Sequence, residues 1–223
     1  GGLQGLLFDA AKQLLGGQTK DAAAISFEKG VKFEPLYTPL YSERTRQLLP
    51  RWHGSYPQMM AFANGAASNV GGDDGDALYA IIASEVLRWE GADTFLNNYL
   101  FSWEKIQSGY EAFLKQFPES NYYRNAYARM ACVQRDAGVA GRVFKAVNSY
   151  DDGSWASPAE YEAFKAWGLG TGAYPERSAL EIAVEDRDTD GVRKLLADGG
   201  DAKTITSKGE PLLELAINNT DYE

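Results

Sequence analysis

Cysteine and histidine are almost missing, with one of each, Cys132 and His53, in 223 residues. A lone cysteine excludes an internal disulfide and a multi-cysteine zinc site. A lone histidine excludes the paired-histidine zinc motifs, and no Walker phosphate loop, dinucleotide fingerprint or serine elbow occurs. Long apolar runs are missing too. None approaches the roughly 18 residues of a membrane span, so no membrane insertion is expected. The start Gly1-Gly2-Leu3-Gln4 has neither the charged region nor the apolar region of a signal peptide. Positive charge is the last scarcity: 22 Lys and Arg face 31 Asp and Glu, giving a net charge of -9 with no basic cluster on any expected helix. Such a chain repels polyanions, which excludes nucleic acid as an expected partner. The cysteine usage fits a reducing, cytoplasmic location, and a periplasmic one if a signal peptide has been removed.

What is present is apolar and aromatic: 44% hydrophobic and 13% aromatic residues suffice for a core, and the length fits one large or two small domains. Apolar spacing and end signals predict helices over residues 3–15 and 20–32, and a third that carries Pro39 in its first turn and ends at Leu49 before Pro50. Ser55-Tyr56-Pro57 reads as a cap followed by a first-turn proline, opening a helix that ends in Ser68-Asn69-Val70-Gly71-Gly72. Asp76 is the expected cap of an apolar helix through Leu78, Ile82, Val86 and Trp89, stopped near Gly91. The spacing of Phe95, Tyr99, Trp103, Ile106, Tyr110, Phe113 and Phe117 predicts one long helix over 94–117, ended by Pro118. Helices over 123–137 and 158–167 follow. Gly168-Leu169-Gly170-Thr171-Gly172 leads to Pro175 and marks the expected boundary between a domain over 1–172 and another over 176–223.

The phrase Ser178-Ala179-Leu180-Glu181-Ile182-Ala183 recurs thirty-three residues later as Pro211-Leu212-Leu213-Glu214-Leu215-Ala216. Between them runs Gly191-Val192-Arg193-Lys194-Leu195-Leu196-Ala197-Asp198-Gly199-Gly200-Asp201-Ala202. Period and phrases resemble the ankyrin repeat. The resemblance implies a stacking unit in which Ala183 and Ala216 allow close helix approach and Leu195 and Leu196 fill the space between neighbours. Glu181 and Glu214 stand where that family has histidine, an exchange expected to weaken the turns. Gly191 is expected to cost about 1 kcal/mol of helix stability relative to alanine. One and a half repeats do not bury their shared faces alone, so this segment must dock on the preceding helices or continue past Thr220-Asp221-Tyr222-Glu223, an end that reads as cut. Ankyrin binding surfaces imply Asp201, Lys203, Thr204 and Lys208, at the hairpin tip, as partner-binding candidates.

Residues 109–147 resemble a tetratricopeptide repeat. Gly109-Tyr110-Glu111-Ala112-Phe113 matches a second helix, and Tyr127, Met130 and Ala131 match the next first helix. Ala140, Phe144 and Val147 arrive about three residues early, which implies a shortened turn. More widely, Leu48-Leu49-Pro50-Arg51-Trp52-His53-Gly54-Ser55-Tyr56, Gly75-Asp76-Ala77-Leu78-Tyr79-Ala80 and Tyr127-Ala128-Arg129-Met130-Ala131-Cys132 resemble an uncharacterised family of bacterial helical domains. That resemblance implies an all-helical fold and supplies no catalytic residue.

Candidate chemistry is sparse. His53, in a loop beside Trp52, has no nucleophile or carboxylate assigned to it, and Cys132 sits in an apolar helix where a buried, unreactive thiol is expected. Asp73-Asp74-Gly75-Asp76 has calcium-like spacing, but Ser84 occupies the twelfth position, where the loop needs glutamate. A capping loop is the better reading. Asp151-Asp152-Gly153-Ser154 reads as a turn before Ser157-Pro158-Ala159-Glu160, a capping box. Tyr37, Tyr41, Trp52 and Tyr56 are either an exposed peptide-binding surface or the filling of crevices between helices, the second being the simpler.

The expectation is therefore an all-α protein: a tetratricopeptide-like helical domain followed by the start of an ankyrin stack, without catalytic residues, metal or cofactor. It would bind another protein, a basic one by charge, as a bacterial adaptor or a toxin-neutralising immunity protein, with Trp52, His53 and Tyr56 as further contact candidates. The rivals are an enzyme with a groove site around His53, Arg51 and Asp73–Asp76, and a structural cap for a longer ankyrin array.

Overall fold

The computed structural model describes residues 20–208 and 210–218. The helix expected over 3–15 and residues 219–223 lie outside them. The described residues are all-α: eleven α-helices, one short 3-10 turn and a single isolated antiparallel bridge. The chain forms two compact units, Gly1–Tyr123 and Arg124–Glu223.

In the first unit, α1 (Lys20–Phe33) packs on α2 (Thr38–Leu48), which has Pro39 in its first turn. The 3-10 turn Pro50–Trp52 leads to α3 (Tyr56–Val70), whose cap Ser55 accepts a hydrogen bond from the Gln58 amide at 3.4 Å. The core helix is α4 (Gly72–Asn98), which packs against α2, α3 and α5 (Trp103–Gln116). It begins five residues earlier than expected. Gly71 is its N-cap, so Asp76 lies within the helix, and Asp73 and Asp74 occupy the first turn, where carboxylates favour the helix dipole. Gly75 is where α3 and α4 cross, since a Cβ there would stand 2.3 Å from the Ala67 carbonyl oxygen. Nor does α4 stop at Gly91. That residue takes φ 77°, ψ 168°, kinking the helix, which then resumes to Asn98.

The single helix expected over 94–117 is two. Tyr99 is extended, Ser102 caps α5 by accepting from the Lys105 amide at 3.2 Å, and Phe101 inserts between Tyr79 and Phe95 with ring centroids 5.4 and 5.3 Å away. The Tyr79 hydroxyl accepts the Ser102 N–H at 2.9 Å, so the corner leaves that donor satisfied. The aromatic stripe does form core, with Phe95, Tyr99, Ile106, Tyr110 and Phe113 buried. It runs through a corner because both halves pack on one unit core.

The second unit contains most of α6 (Asn121–Val133), then α7 (Ala137–Phe144) and α8 (Pro158–Gly168). The helix expected to reach 137 ends at Val133. Arg135 takes a left-handed φ of 54° and Asp136 caps α7 through the Val139 amide, so the turn is short. Trp155, 2% exposed, fills the space among Phe144, Tyr161 and Phe164. Its indole N–H donates to Asn125 Oδ1 at 2.9 Å, and Asn125 Nδ2 donates to the Ser149 carbonyl at 3.0 Å. Asp151–Ser154 is the expected turn, with Ser154 donating to the Asp151 carboxylate at 2.6 Å. Ser157 caps α8 through the Glu160 amide at 3.0 Å. The Glu160 carboxylate departs from the capping box: it accepts from the Ala156 amide at 2.7 Å and from Arg129 at 2.5 Å.

The same unit holds α9 (Ala179–Glu185), α10 (Thr189–Ala197) and α11 (Leu212–Asn218), with α9 packed on both others. Leu180, Val184 and Leu212 form their core, joined by Val192, Leu195, Leu215 and Ala216. Leu196, expected beside Leu195, is 39% exposed. Residues 204–212 make a narrow hairpin closed by the Thr206 amide on the Glu210 carbonyl and the Leu212 amide on the Thr204 carbonyl. Two expectations are corrected here. Glu181 strengthens the local structure, because its buried carboxylate accepts the Ser207 amide at 2.9 Å and the Ser207 hydroxyl at 2.6 Å. Gly191 is the third helical residue, where a Cβ would meet the capping carboxylate of Asp188 at 2.2 Å, so glycine keeps room for that cap. The segment docks on the preceding helices: Arg135 pairs with Glu176 at 2.6 Å, and the Ser157 hydroxyl donates to the Lys208 carbonyl.

Candidate functional site

The turn after α2 places Trp52 at the surface. Pro50 starts the 3-10 turn, the Trp52 amide donates to the Leu49 carbonyl at 2.9 Å, and His53 closes it at φ 70°, a region that histidine enters more often than most residues. Gly54 then passes so close to the Leu48 carbonyl oxygen that a Cβ would lie 1.8 Å from it. Only glycine fits. The turn thus turns Trp52 toward α4, where the indoles of Trp52 and Trp89 meet edge to face with centroids 5.6 Å apart.

Both tryptophans are part-exposed, at 38% and 37%. Arg46 and Arg51 lie over the Trp52 ring, 5.3 and 5.7 Å from its centroid. Neither arginine is a free charge. Arg46 binds Glu43 through two nitrogens, at 3.0 and 2.5 Å, while Arg51 donates to Glu90 at 3.1 Å and to the Trp89 carbonyl at 2.7 Å. These pairs hold both guanidinium groups over the Trp52 ring, so its surroundings are fixed before any partner arrives. Beyond the Gly91 kink, Leu96 and Leu100 are exposed, Leu100 at 86%. Tyr56 packs edge-on against Tyr99 at 4.8 Å, and its hydroxyl accepts from Asn98 at 3.3 Å. The Tyr99 hydroxyl is buried and makes no hydrogen bond within the described residues. Burial, with the charge of Glu90 and the neighbouring Tyr56, pushes its phenol well up, against the pull of Arg51.

The candidate aromatics therefore divide. Tyr41 is buried against Phe27 and Phe62 and Tyr37 packs on Leu40, as crevice filling requires, whereas Trp52 and Tyr56 belong to the patch, beside the exposed His53. Trp89 was not expected beside Trp52. Trp89 falls on the apolar period of α4, and the glycine two residues later was the one signal that the helix bends there.

The groups of the enzyme rival do not converge. His53 precedes α3 and Asp73 follows it, and 15 helical residues separate them by about 22 Å. Asp73 pairs with Lys115 at 3.1 Å. Cys132 is fully buried, and burial pushes its thiol far up. Among the described residues no group of three or more His, Cys, Asp or Glu side chains is placed to hold a metal, and no helix is long and apolar enough to cross a membrane.

The tip candidates of the second unit are engaged to different degrees. Asp201 is exposed and accepts from the Lys203 amide at 2.8 Å, and Thr204 is tied through its backbone to Leu212. The Lys208 ammonium is bound to Glu185 at 2.6 Å, and Arg177 holds the other oxygen of that carboxylate at 2.5 Å. Lys203 is exposed. No family model, curated protein or solved structure matches this chain.

Proposed function

We propose that this protein is a non-catalytic protein-binding module, and that it recognises its partner through the Trp52–Trp89 patch. The observation that carries this is a pair of part-exposed indoles in edge-to-face contact, with two ion-paired arginines over the Trp52 ring. Trp and Arg are the residue types on which binding energy concentrates, and an ordered rotamer costs less to immobilise. With a net charge of -9 the partner is a basic protein, and a bacterial adaptor or toxin-neutralising immunity protein is the biological form proposed. The tetratricopeptide-like reading of 109–147 and the ankyrin-like reading of 176–223 belong to the same proposal. The paired short helices α9 and α10, the hairpin and α11 support the latter.

The test is capture of binding proteins by the full chain, compared with Trp52→Ala, Trp89→Ala and Lys203→Ala. Removing either indole should cost about 2 kcal/mol of binding, roughly thirtyfold. Lys203→Ala should cost little. A partner that both tryptophan variants retain and Lys203→Ala loses would move recognition to the hairpin tip and sink the proposal.

A further inference from the structure

A second feature of the first unit lies away from the tryptophans. A groove of about 380 Å³ opens among α1, α2 and α3, walled by Phe27, Val31, Tyr41, Phe62 and Val70. Phe27, Tyr41 and Phe62 pack on one another with centroids 5.3 to 6.2 Å apart, forming a continuous aromatic wall. Gly65 lies on its floor.

Gly65 differs from the glycines at which helices cross. Gly30, Gly75, Gly109 and Gly141 also lie within helices, and at each a Cβ would stand less than 3 Å from a packed neighbour, so each glycine lets two elements approach. Around Gly65 a Cβ would meet no atom within 4 Å among the described residues, an openness it shares with Gly72 and Gly91, which take positive φ as Gly65 does not. Glycine is the poorest helix former after proline, and here no close packing accounts for it. Its effect is to leave the groove unfilled. The lining holds no charged residue, and the Tyr41 hydroxyl is already committed to the Pro35 carbonyl at 2.7 Å, which leaves the exposed Asn69 amide as the polar side chain at the rim.

We infer that this groove binds a small, uncharged, largely apolar molecule, with Gly65 as the residue that keeps its place open. Charge matching sets the class, since a charged ligand would lose its hydration with no opposite charge to meet. Volume sets the size: a cavity of about 150 Å³ holds benzene, so this one takes two or three rings or a short aliphatic chain. Asn69 supplies one hydrogen bond to a polar atom at the ligand's outer end.

The probe is N-phenyl-1-naphthylamine, neutral and fluorescent in apolar surroundings, titrated into the full chain and into Gly65→Ala and Gly65→Leu. The expected result is saturable one-to-one binding, weakened about tenfold or more in Gly65→Leu and less in Gly65→Ala. Both variants should melt at or above the parent temperature, because the added side chain enters open space and improves helix propensity. Absent or non-saturable binding overturns the inference, as does binding that Gly65→Leu leaves unchanged. A lower melting temperature for Gly65→Ala would mean that protein already fills the space, and also overturns it.

Discussion

The two units are stabilised by different means. The first is built from longer helices that cross where a glycine permits it, and its buried Thr45 donates within its own helix to the Tyr41 carbonyl at 2.7 Å. The second uses helices as short as seven residues, and it buries Asn125, Glu160, Glu181 and Thr206. Short helices present little apolar area to one another, and their connecting segments bring in backbone donors that need acceptors. Carboxylates and amides placed inside the second unit meet that need. The lesson is that the buried polar groups of the second unit serve its connecting segments.

Breaking the second unit at its centre should have the largest effect. Trp155→Ala removes a buried indole and leaves Asn125 Oδ1 without its donor, for an expected loss of about 3–5 kcal/mol in urea unfolding. Glu181→Ala should cost about 2–3 kcal/mol, because it removes a buried carboxylate and strands the part-buried Ser207 amide, and amide exchange at Ser207 should accelerate. In the first unit, Gly109→Ala drives a Cβ to within 2.1 Å of the Asp76 carbonyl oxygen and should cost about 1–3 kcal/mol by forcing α4 and α5 apart. A cost below that of Glu181→Ala is what the comparison requires.

The smallest effect is pH-dependent. Burial alone would raise the Glu185 carboxyl, but hydrogen bonds and charge from Lys208 and Arg177 outweigh it and hold the group below its usual range. A depressed carboxyl contributes stability that is present above its unfolded value and lost as pH falls through the folded one. Glu185→Gln should therefore melt lower than the parent at neutral pH, with the gap closing in acid. A gap that is constant from neutral pH to acid would show that the ion pairs contribute nothing.

Helix starts were legible because their signals are local. Pro39, Ser55 with Pro57, and Ser157 with Pro158 all stand where cap and first-turn chemistry places them, whereas the start of α4 was misplaced because Asp76 is a good cap by residue type alone. The corner at Tyr99–Ser102 was not, because Phe95 to Phe113 keep one apolar period on both sides of it, and periodicity reports burial without reporting continuity. Glu181 looked like a lost histidine because its partner, Ser207, lies 26 residues away. Of the indole pair, Trp52 was visible by residue type, whereas Trp89 read only as part of the apolar period of α4. The floor of the groove at Gly65 left no sequence signal apart from a glycine inside a helix.

Ser157 carries one more consequence. Its single hydroxyl oxygen takes the Glu160 amide proton at the start of α8 while its own proton goes to the Lys208 carbonyl in the distant hairpin. Opening of that hairpin thus also takes a contact from that helix end, so protection of the first α8 amides should fall by about 1 kcal/mol when the hairpin opens.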